Sequence, residues 1–315
     1  MGAYLAGRLA QAVGLLFVVS VVTFVIIHAA PGGPAILSDP NLTKEQVESL
    51  KGSLGLDRPV HEQYLTWVGN VLVGQFGRSF STNHPVLDLI RDRLPTTLIV
   101  SGTAMALSLA IAIPLGIVAA VRRGSWVDNT TTVFSYLGLS VPPFWLGIVL
   151  ILVFAVWLRA LPSGGIVTAG AEGGLGDRLA HLILPTIVLA ASTLAQVARY
   201  TRSSLLNVLH EDYVRTARAK GVREWRVLGG HAFRNAVIPV VTVVGLLLPR
   251  LVSGAAITES VFALPGMGRL AVEAAFQRDY PVIMGVTLVV SAMVIVTNLF
   301  VDLLYGYLDP RVKVS

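Results

Sequence analysis

Cysteine is absent from this 315-residue chain, which excludes thiol catalysis, cysteine-based metal sites, redox switching and a disulfide scaffold. Charge is scarce as well: Asp, Glu, Lys and Arg make up 13% of the residues, against roughly 25% in soluble domains. Lysine occurs only at Lys44, Lys51, Lys220 and Lys313, never after a glycine, so the Gly-Lys-Ser/Thr element of a phosphate-binding loop is missing. His-Glu-x-x-His and Gly-x-Ser-x-Gly are missing too. The six histidines (His28, His61, His84, His181, His210 and His231) form no pair at ligand spacing, and no metal site follows from them.

What is present is apolar. Hydrophobic residues make up 54% and the mean hydropathy is +0.72. So few charges cannot cover a globule of this length, and the surplus apolar area must face lipid. Disorder and collagen-like repeats are excluded by the same aliphatic content. The net charge of +6 suits a protein among acidic lipids and carries no weight as a nucleic-acid signal.

Runs of about twenty mainly apolar residues predict six membrane spans: Leu9–Ala30, Thr96–Val121, Thr132–Leu158, His181–Tyr200, Ala236–Ile257 and Ile283–Leu304. The first is too long for the apolar region of a signal peptide, and its exit His28-Ala29-Ala30 runs straight into Pro31, a poor cleavage site. With the N-terminus inside, the inner segments hold thirteen Lys and Arg: Arg8, Arg122, Arg123, eight within 199–235, Arg311 and Lys313. The outer segments hold ten, six of them in the long stretch 31–95, which counts little in this rule. This predicts both termini in the cytoplasm. Pro114, Pro142, Pro143, Pro185, Pro239 and Pro249 fall within spans, where each removes a backbone donor and bends the helix. Bundle packing accounts for them, as does a set of helices that move or line a wet path.

Segment 31–95 reads as organised. Thr43-Lys44-Glu45-Gln46 fits a capping box with Leu42 and Val47 as a staple, and Gly55 is placed to stop that helix. Pro59 suits the first turn of a second helix carrying Val60, Tyr64, Trp67, Val68 and Val71 at helical spacing. Pro85–Leu94 mixes Val86, Leu87, Ile90 and Leu94 with Asp88, Arg91, Asp92 and Arg93, which predicts a short interfacial helix leading to Pro95. The segment serves either as a cap over the bundle or as a docking surface for an outer partner.

Segment 199–235, the longest inner loop, is not linker-like. Asp212 can cap a helix over Tyr213–Lys220, and Gly221 can end it. A second short helix with Val222, Trp225, Val227 and Leu228 should lead toward Phe233. Arg215, Arg218, Lys220, Arg223 and Arg226 give this knob a basic surface, which acidic lipid headgroups would also attract. Tyr213 and Ala217 share a face, and the small Thr216, Ala217 and Ala219 suit insertion into a partner's cleft better than contact with lipid.

Glu211-Asp212-Tyr213-Val214-Arg215-Thr216-Ala217-Arg218-Ala219-Lys220-Gly221, with His231-Ala232-Phe233-Arg234-Asn235-Ala236, resembles the inner-loop signature of ABC-importer permeases, and more narrowly that of the dipeptide/oligopeptide/nickel subfamily. The likeness extends along the chain through Ala30-Pro31-Gly32-Gly33-Pro34, Leu54-Gly55-Leu56-Asp57-Arg58-Pro59, Gly74-Gln75-Phe76-Gly77-Arg78-Ser79, Val141-Pro142-Pro143-Phe144, Val261 to Gly268, and Arg278-Asp279-Tyr280-Pro281. Arg215 and Thr216 depart from the general Glu-Ala-Ala signature, and Pro239 lies farther from Gly221 than usual; the peptide subfamily shares both differences. Gln75, where an acid is frequent, and Arg250, where a small or apolar residue is expected, bear on substrate type.

The resemblance implies an all-α polytopic protein of the type I ABC importer permease kind: six transmembrane helices, an organised outer helical segment and a cytoplasmic coupling loop. The chain then divides into 1–30 (N-terminus and first span), 31–95 (the outer segment) and 96–315 (a five-helix permease core containing loop 199–235). It implies a homologous second permease subunit, two ATPase subunits that bind the ATP and Mg, and an extracytoplasmic solute-binding protein. This chain would hold no cofactor and hydrolyse nothing itself. Asp212, Tyr213, Arg215, Thr216, Ala217, Arg218, Ala219, Lys220 and Gly221 would form the helix that seats in an ATPase groove. The location would be a bacterial or archaeal cytoplasmic membrane, and the cargo a dipeptide or oligopeptide, or else nickel or another small solute. Arg250, inside the fifth span, either snorkels or pairs at a subunit interface, or lines the path. Ser192, Thr193 and Gln196 form a polar stripe that marks the path or bonds helix to helix. An ion-driven secondary transporter would need paired intramembrane carboxylates and an inverted repeat, which the sequence does not display; only Asp302, near the end of the sixth span, is acidic there. An intramembrane hydrolase would need a Ser-His or metal pair at bilayer depth.

Overall fold

A computed structural model describes residues 2–168, 170, 173–252 and 256–308. The helices are α1 (Gly2–Ala29), α2 (Lys44–Ser53), α3 (Val60–Leu72), α4 (Val86–Val121), α5 (Trp126–Ser140), α6 (Pro143–Leu150), α7 (Leu175–Leu209), α8 (Asp212–Ala219), α9 (Glu224–Arg226), α10 (Phe233–Val252), α11 (Ala256–Val261), α12 (Met267–Gln277) and α13 (Tyr280–Leu308). Wider π-helical turns extend α6 over Ile151–Trp157 and join α9 to α10 over Val227–Ala232. Among the described residues, four helices are long and apolar enough to cross a membrane: 7–29, 86–121, 175–209 and 280–303. Two bent pairs bring the number to as many as six, 126–140 with 143–157 at 103° and 224–230 with 235–249 at 42°.

The third expected span is therefore two helices. Pro142 and Pro143 both lack the N–H that would continue the α5 ladder, and Pro143 is instead accommodated in the first turn of α6. The fifth begins earlier than hydropathy placed it, at Glu224, and α7 continues to Leu209. The loop read as 199–235 thus shrinks to the turns around α8. Charged residues concealed these extensions, because a helix leaving the bilayer keeps its hydrogen bonds while its side chains turn polar.

The chain clusters into two compact units, Met1–Thr97 with Pro265–Val296, and Leu98–Leu264 with Thr297–Ser315. In the first, the capping box forms as expected: Thr43 N–H donates to Gln46 Oε1 at 2.8 Å, and Gln46 N–H to Thr43 Oγ1 at 3.3 Å. Gly55 turns the chain at φ +69° after α2, and Pro59 precedes α3 as its N-cap. Phe24 and Ile27 of α1 pack with Tyr64 and Trp67 of α3 and Met284 of α13. The outward residues of α1, including Val13, Phe17 and Ile26, are exposed, as suits a helix with an apolar surface in a bilayer.

Residues 86–94 are not a separate interfacial helix. They are the first turns of α4, and Val86 and Ile90 are buried against Met267, Leu270, Val282 and Val286. The charged residues between them leave one apolar stripe, and its burial outweighs the single backbone bond that Pro95 removes.

Asp279 ties the 79–81 turn to the start of α13. It is 1% exposed and its carboxylate receives Ser79 Oγ–H at 2.5 Å, Phe80 N–H at 3.1 Å, Ser81 N–H at 3.2 Å and Ser81 Oγ–H at 2.9 Å. Val282 N–H reaches it as well, at 3.4 Å, capping α13. Beside it, Arg278 adopts φ +49° and its guanidinium donates to Gly33 O at 3.4 Å. A Cβ on Gly32 would stand 2.2 Å from that guanidinium. Three sequence motifs, around Gly32, Ser79 and Asp279, thus meet at one place. Asp279→Asn turns an N–H2 toward some of these donors in either orientation. We expect it to destabilise the protein by about 1–3 kcal/mol, read as a lower Tm of the purified protein in detergent; an unchanged Tm would show that the donors find other partners.

In the second unit α7 is the central helix, packed most extensively by α10 and α5. Small residues permit close approach: a Cβ on Gly116 of α4 would lie 2.7 Å from Ala198 O, and one on Gly138 of α5 would lie 3.0 Å from Ala191 O. Met105, Ala112, Val197, Ala198, Val240 and Leu247 fill the space among α4, α7 and α10.

Candidate functional site

The α8 knob is built directly onto two long helices. α7 ends at Leu209, His210 and Glu211 turn the chain, and α8 begins at Asp212. Asp212 is not the N-cap: Glu211 occupies that position without a side-chain bond, and the Asp212 carboxylate pairs with Arg215 one turn on. An acidic residue in the first turn still suits the helix dipole.

The end of α8 follows the sequence reading closely. Gly221 has φ +72°, its N–H donates to Arg218 O at 2.9 Å, and Val222 N–H donates to Ala217 O at 3.2 Å. This is a Schellman motif, which satisfies carbonyls that the helix would otherwise leave open. Across the turn, Arg218 Nη2 and Nε donate to the two carboxylate oxygens of Glu224 at 2.7 and 3.3 Å. That hydrogen bond raises the Arg218 pKa above its ordinary value. The expected second short helix is the opening of the α9–α10 pair, so the knob is clamped between α7 and α10.

Val214 and Ala217 are the buried face of α8, at 0% and 9% exposure, packed with Leu205, Val227, Ala232, Ala236 and Ala120. Ala217 therefore points inward, and its small size serves packing within the unit. Tyr213, Arg215, Thr216, Arg218, Ala219 and Lys220 are exposed, as are Arg223 and Trp225 beyond the turn. Asn235 Nδ2 donates to the Tyr213 hydroxyl at 2.9 Å, and the Arg226 guanidinium lies 5.0 Å from the Trp225 ring centroid. The result is a rigid, basic, aromatic surface on a fixed base.

Of the path candidates, Gln196 is half-buried on α7 between buried Ala195 and Val197. Thr193 is buried and Ser192 half-buried one turn earlier. Arg250 lies on α10, and its side chain falls outside the described residues, as do Arg311, Lys313 and the side chains of His231 and Arg234.

One feature near the knob escaped the sequence reading. Asp128, in the first turn of α5, is 3% exposed and forms a two-pronged ion pair with Arg202 of α7: Nε donates to Oδ1, and Nη2 to Oδ2 at 2.9 Å. Gly124 N–H also donates to Oδ2 at 2.9 Å, and Ser125 caps α5. Ser125 with an acid three positions on fits a helix start, a local signal that the sequence reading did not use; the partner 74 residues away leaves no mark in the sequence.

The fold, with the short α8 set between the long α7 and α10, is that of a type I ABC-importer permease. The solved inward-facing MetNI methionine ABC transporter has the same fold, with a TM-score of 0.55 over 71% of this chain and 97% of that one, at 17% identity. Residues 1–101 match the N-terminal family of binding-protein-dependent transport system membrane components, and residues 112–314 match the binding-protein-dependent transport system inner membrane component family. The chain belongs to this family and is an inner-membrane permease component of an ABC importer, as its loop signature indicated. Among similar proteins, the oligopeptide transport system permease protein AppB of Bacillus subtilis (strain 168) is 44% identical, covering 99% of this chain and 100% of its own. The dipeptide transport system permease protein DppB of Escherichia coli (strain K12) is 39% identical, covering 98% of each.

Proposed function

We propose that this chain forms half of the translocation path of a peptide importer and couples it, through α8, to ATP hydrolysis on a separate subunit. The second half is a homologous permease, two ATPase subunits carry the ATP and Mg, and an extracytoplasmic solute-binding protein delivers the cargo. Both termini lie in the cytoplasm of a bacterial or archaeal cell, and the 31–95 segment lies on the opposite side. Arg215, Lys220, Arg223 and Trp225 meet the ATPase groove. ATP binding draws the two ATPases together; α8 follows its groove, and α7 and α10 rock with it. The observation that carries this reading is the clamping of α8, by Val214 and Ala217 beneath and the Gly221 turn at its end, because a knob that bent would absorb the displacement.

The test is uptake by the whole complex in proteoliposomes, with labelled dipeptides, longer peptides and a nickel chelate. We expect peptide accumulation that requires ATP on the ATPase side and the binding protein on the other. Accumulation driven by an ion gradient without ATP would overturn the reading in favour of a secondary transporter, and uptake of the nickel chelate alone would replace the cargo. Arg250→Met in the same assay should reduce uptake with the complex still assembled if Arg250 lines the path; undiminished uptake assigns it to the lipid or subunit boundary.

A further inference from the structure

The first unit contains a cavity of about 430 Å³ where α1 ends and α13 begins. This is within the size range of small-molecule sites. Phe24, Trp67, Phe80 and Tyr280 are among its lining residues, with the Phe80 and Tyr280 ring centroids 6.0 Å apart. Arg58 and Arg78 also line it, and no Asp or Glu does. The Trp67 indole N–H is buried beside it without an acceptor. An apolar body would stack on the rings, and an anionic end would meet guanidinium groups, while the Asp279 carboxylate behind Ser79 and Phe80 is taken up by its own hydrogen bonds.

We propose that this cavity binds short peptides by an apolar or aromatic side chain and a free C-terminal carboxylate. This rests on the peptide-importer reading for the identity of the cargo, while the ligand chemistry comes from the cavity itself. A site at this position holds peptide on residues of the first unit. A small turn of the Trp67 ring would give its N–H an acceptor on the peptide.

The experiment is equilibrium binding of labelled Leu-Phe to the permease–ATPase complex in nanodiscs, without the solute-binding protein. We expect Leu-Phe to bind, its C-terminal amide to bind roughly tenfold or more weakly, and Arg58→Gln with Arg78→Gln to weaken Leu-Phe by a similar factor. Arg58→Lys with Arg78→Lys should recover part of the affinity, and Trp67→Phe should weaken it less. Equal binding of Leu-Phe and its amide, or no effect of the paired arginine substitutions, overturns the proposal. Preference for decanoate over Leu-Phe also overturns it, assigning the cavity to a lipid-derived carboxylate. ATP-driven peptide uptake without Leu-Phe binding here would discard this site alone. Specific binding without peptide uptake would discard the importer reading and keep the site.

Discussion

Arg202→Ala should lower stability more than any surface substitution, by about 3–5 kcal/mol, because it strands a buried carboxylate without its countercharge. Asp128 is 3% exposed, and Gly124 N–H is the one other donor the described residues supply to it. Asp128→Ala with Arg202→Ala should be milder than the single Arg202→Ala, since the charge and its partner leave together. The Tm of the purified protein for the two single variants and the double measures this. Additive losses would mean that the pair contributes nothing as a pair. The functional consequence follows from position. Arg202 sits about two turns before the end of α7, so the pair ties the start of α5 to the segment of α7 that carries α8. A weakened tie should reduce uptake in the reconstituted complex even at temperatures where the variant stays folded.

Gly221→Val should uncouple ATP hydrolysis from uptake. The position requires φ +72°, a left-handed conformation that costs an L-residue roughly 1–2 kcal/mol, and more when it is β-branched. Beyond the two neighbouring residues, no atom of the described residues lies within 4 Å of a Cβ placed there, so the backbone conformation, and not crowding, carries the penalty. A loss of that size shifts the population of intact Schellman turns by roughly 5–30-fold. In proteoliposomes we expect ATPase activity to persist while peptide accumulation falls by a comparable factor. Gly221→Asn, which tolerates the left-handed region, should retain most of the coupling. Normal accumulation by Gly221→Val would show that the turn is not part of the transmission.

The features legible in the sequence were those set by neighbours along the chain. The capping box at Thr43 and the stop at Gly221 depend on residues a few positions apart, and both formed as read. The family signature around Glu211–Gly221 was equally local. Most readings that needed revision concerned where a helix goes after its hydropathy changes or which way one of its faces turns. Pro95 looked like a terminus because proline removes a donor, yet the burial of Val86 and Ile90 carried α4 through it. Ala217 looked like an outward small residue, since spacing along a helix defines a face without saying which way that face turns. Leu205 and Val227 turned it inward.

By itself, then, the sequence determined that the chain lives in lipid, where its apolar runs lie, which permease family it joins, how α2 begins and how α8 ends. Each of these depends on composition or on residues within one or two turns. Tertiary structure alone decided that Asp279 gathers Ser79, Phe80 and Ser81, that Asp128 meets Arg202, and that three distant motifs and one cavity share the first unit. Buried polar groups must find partners in space, and separation along the chain leaves no mark on which partner that will be.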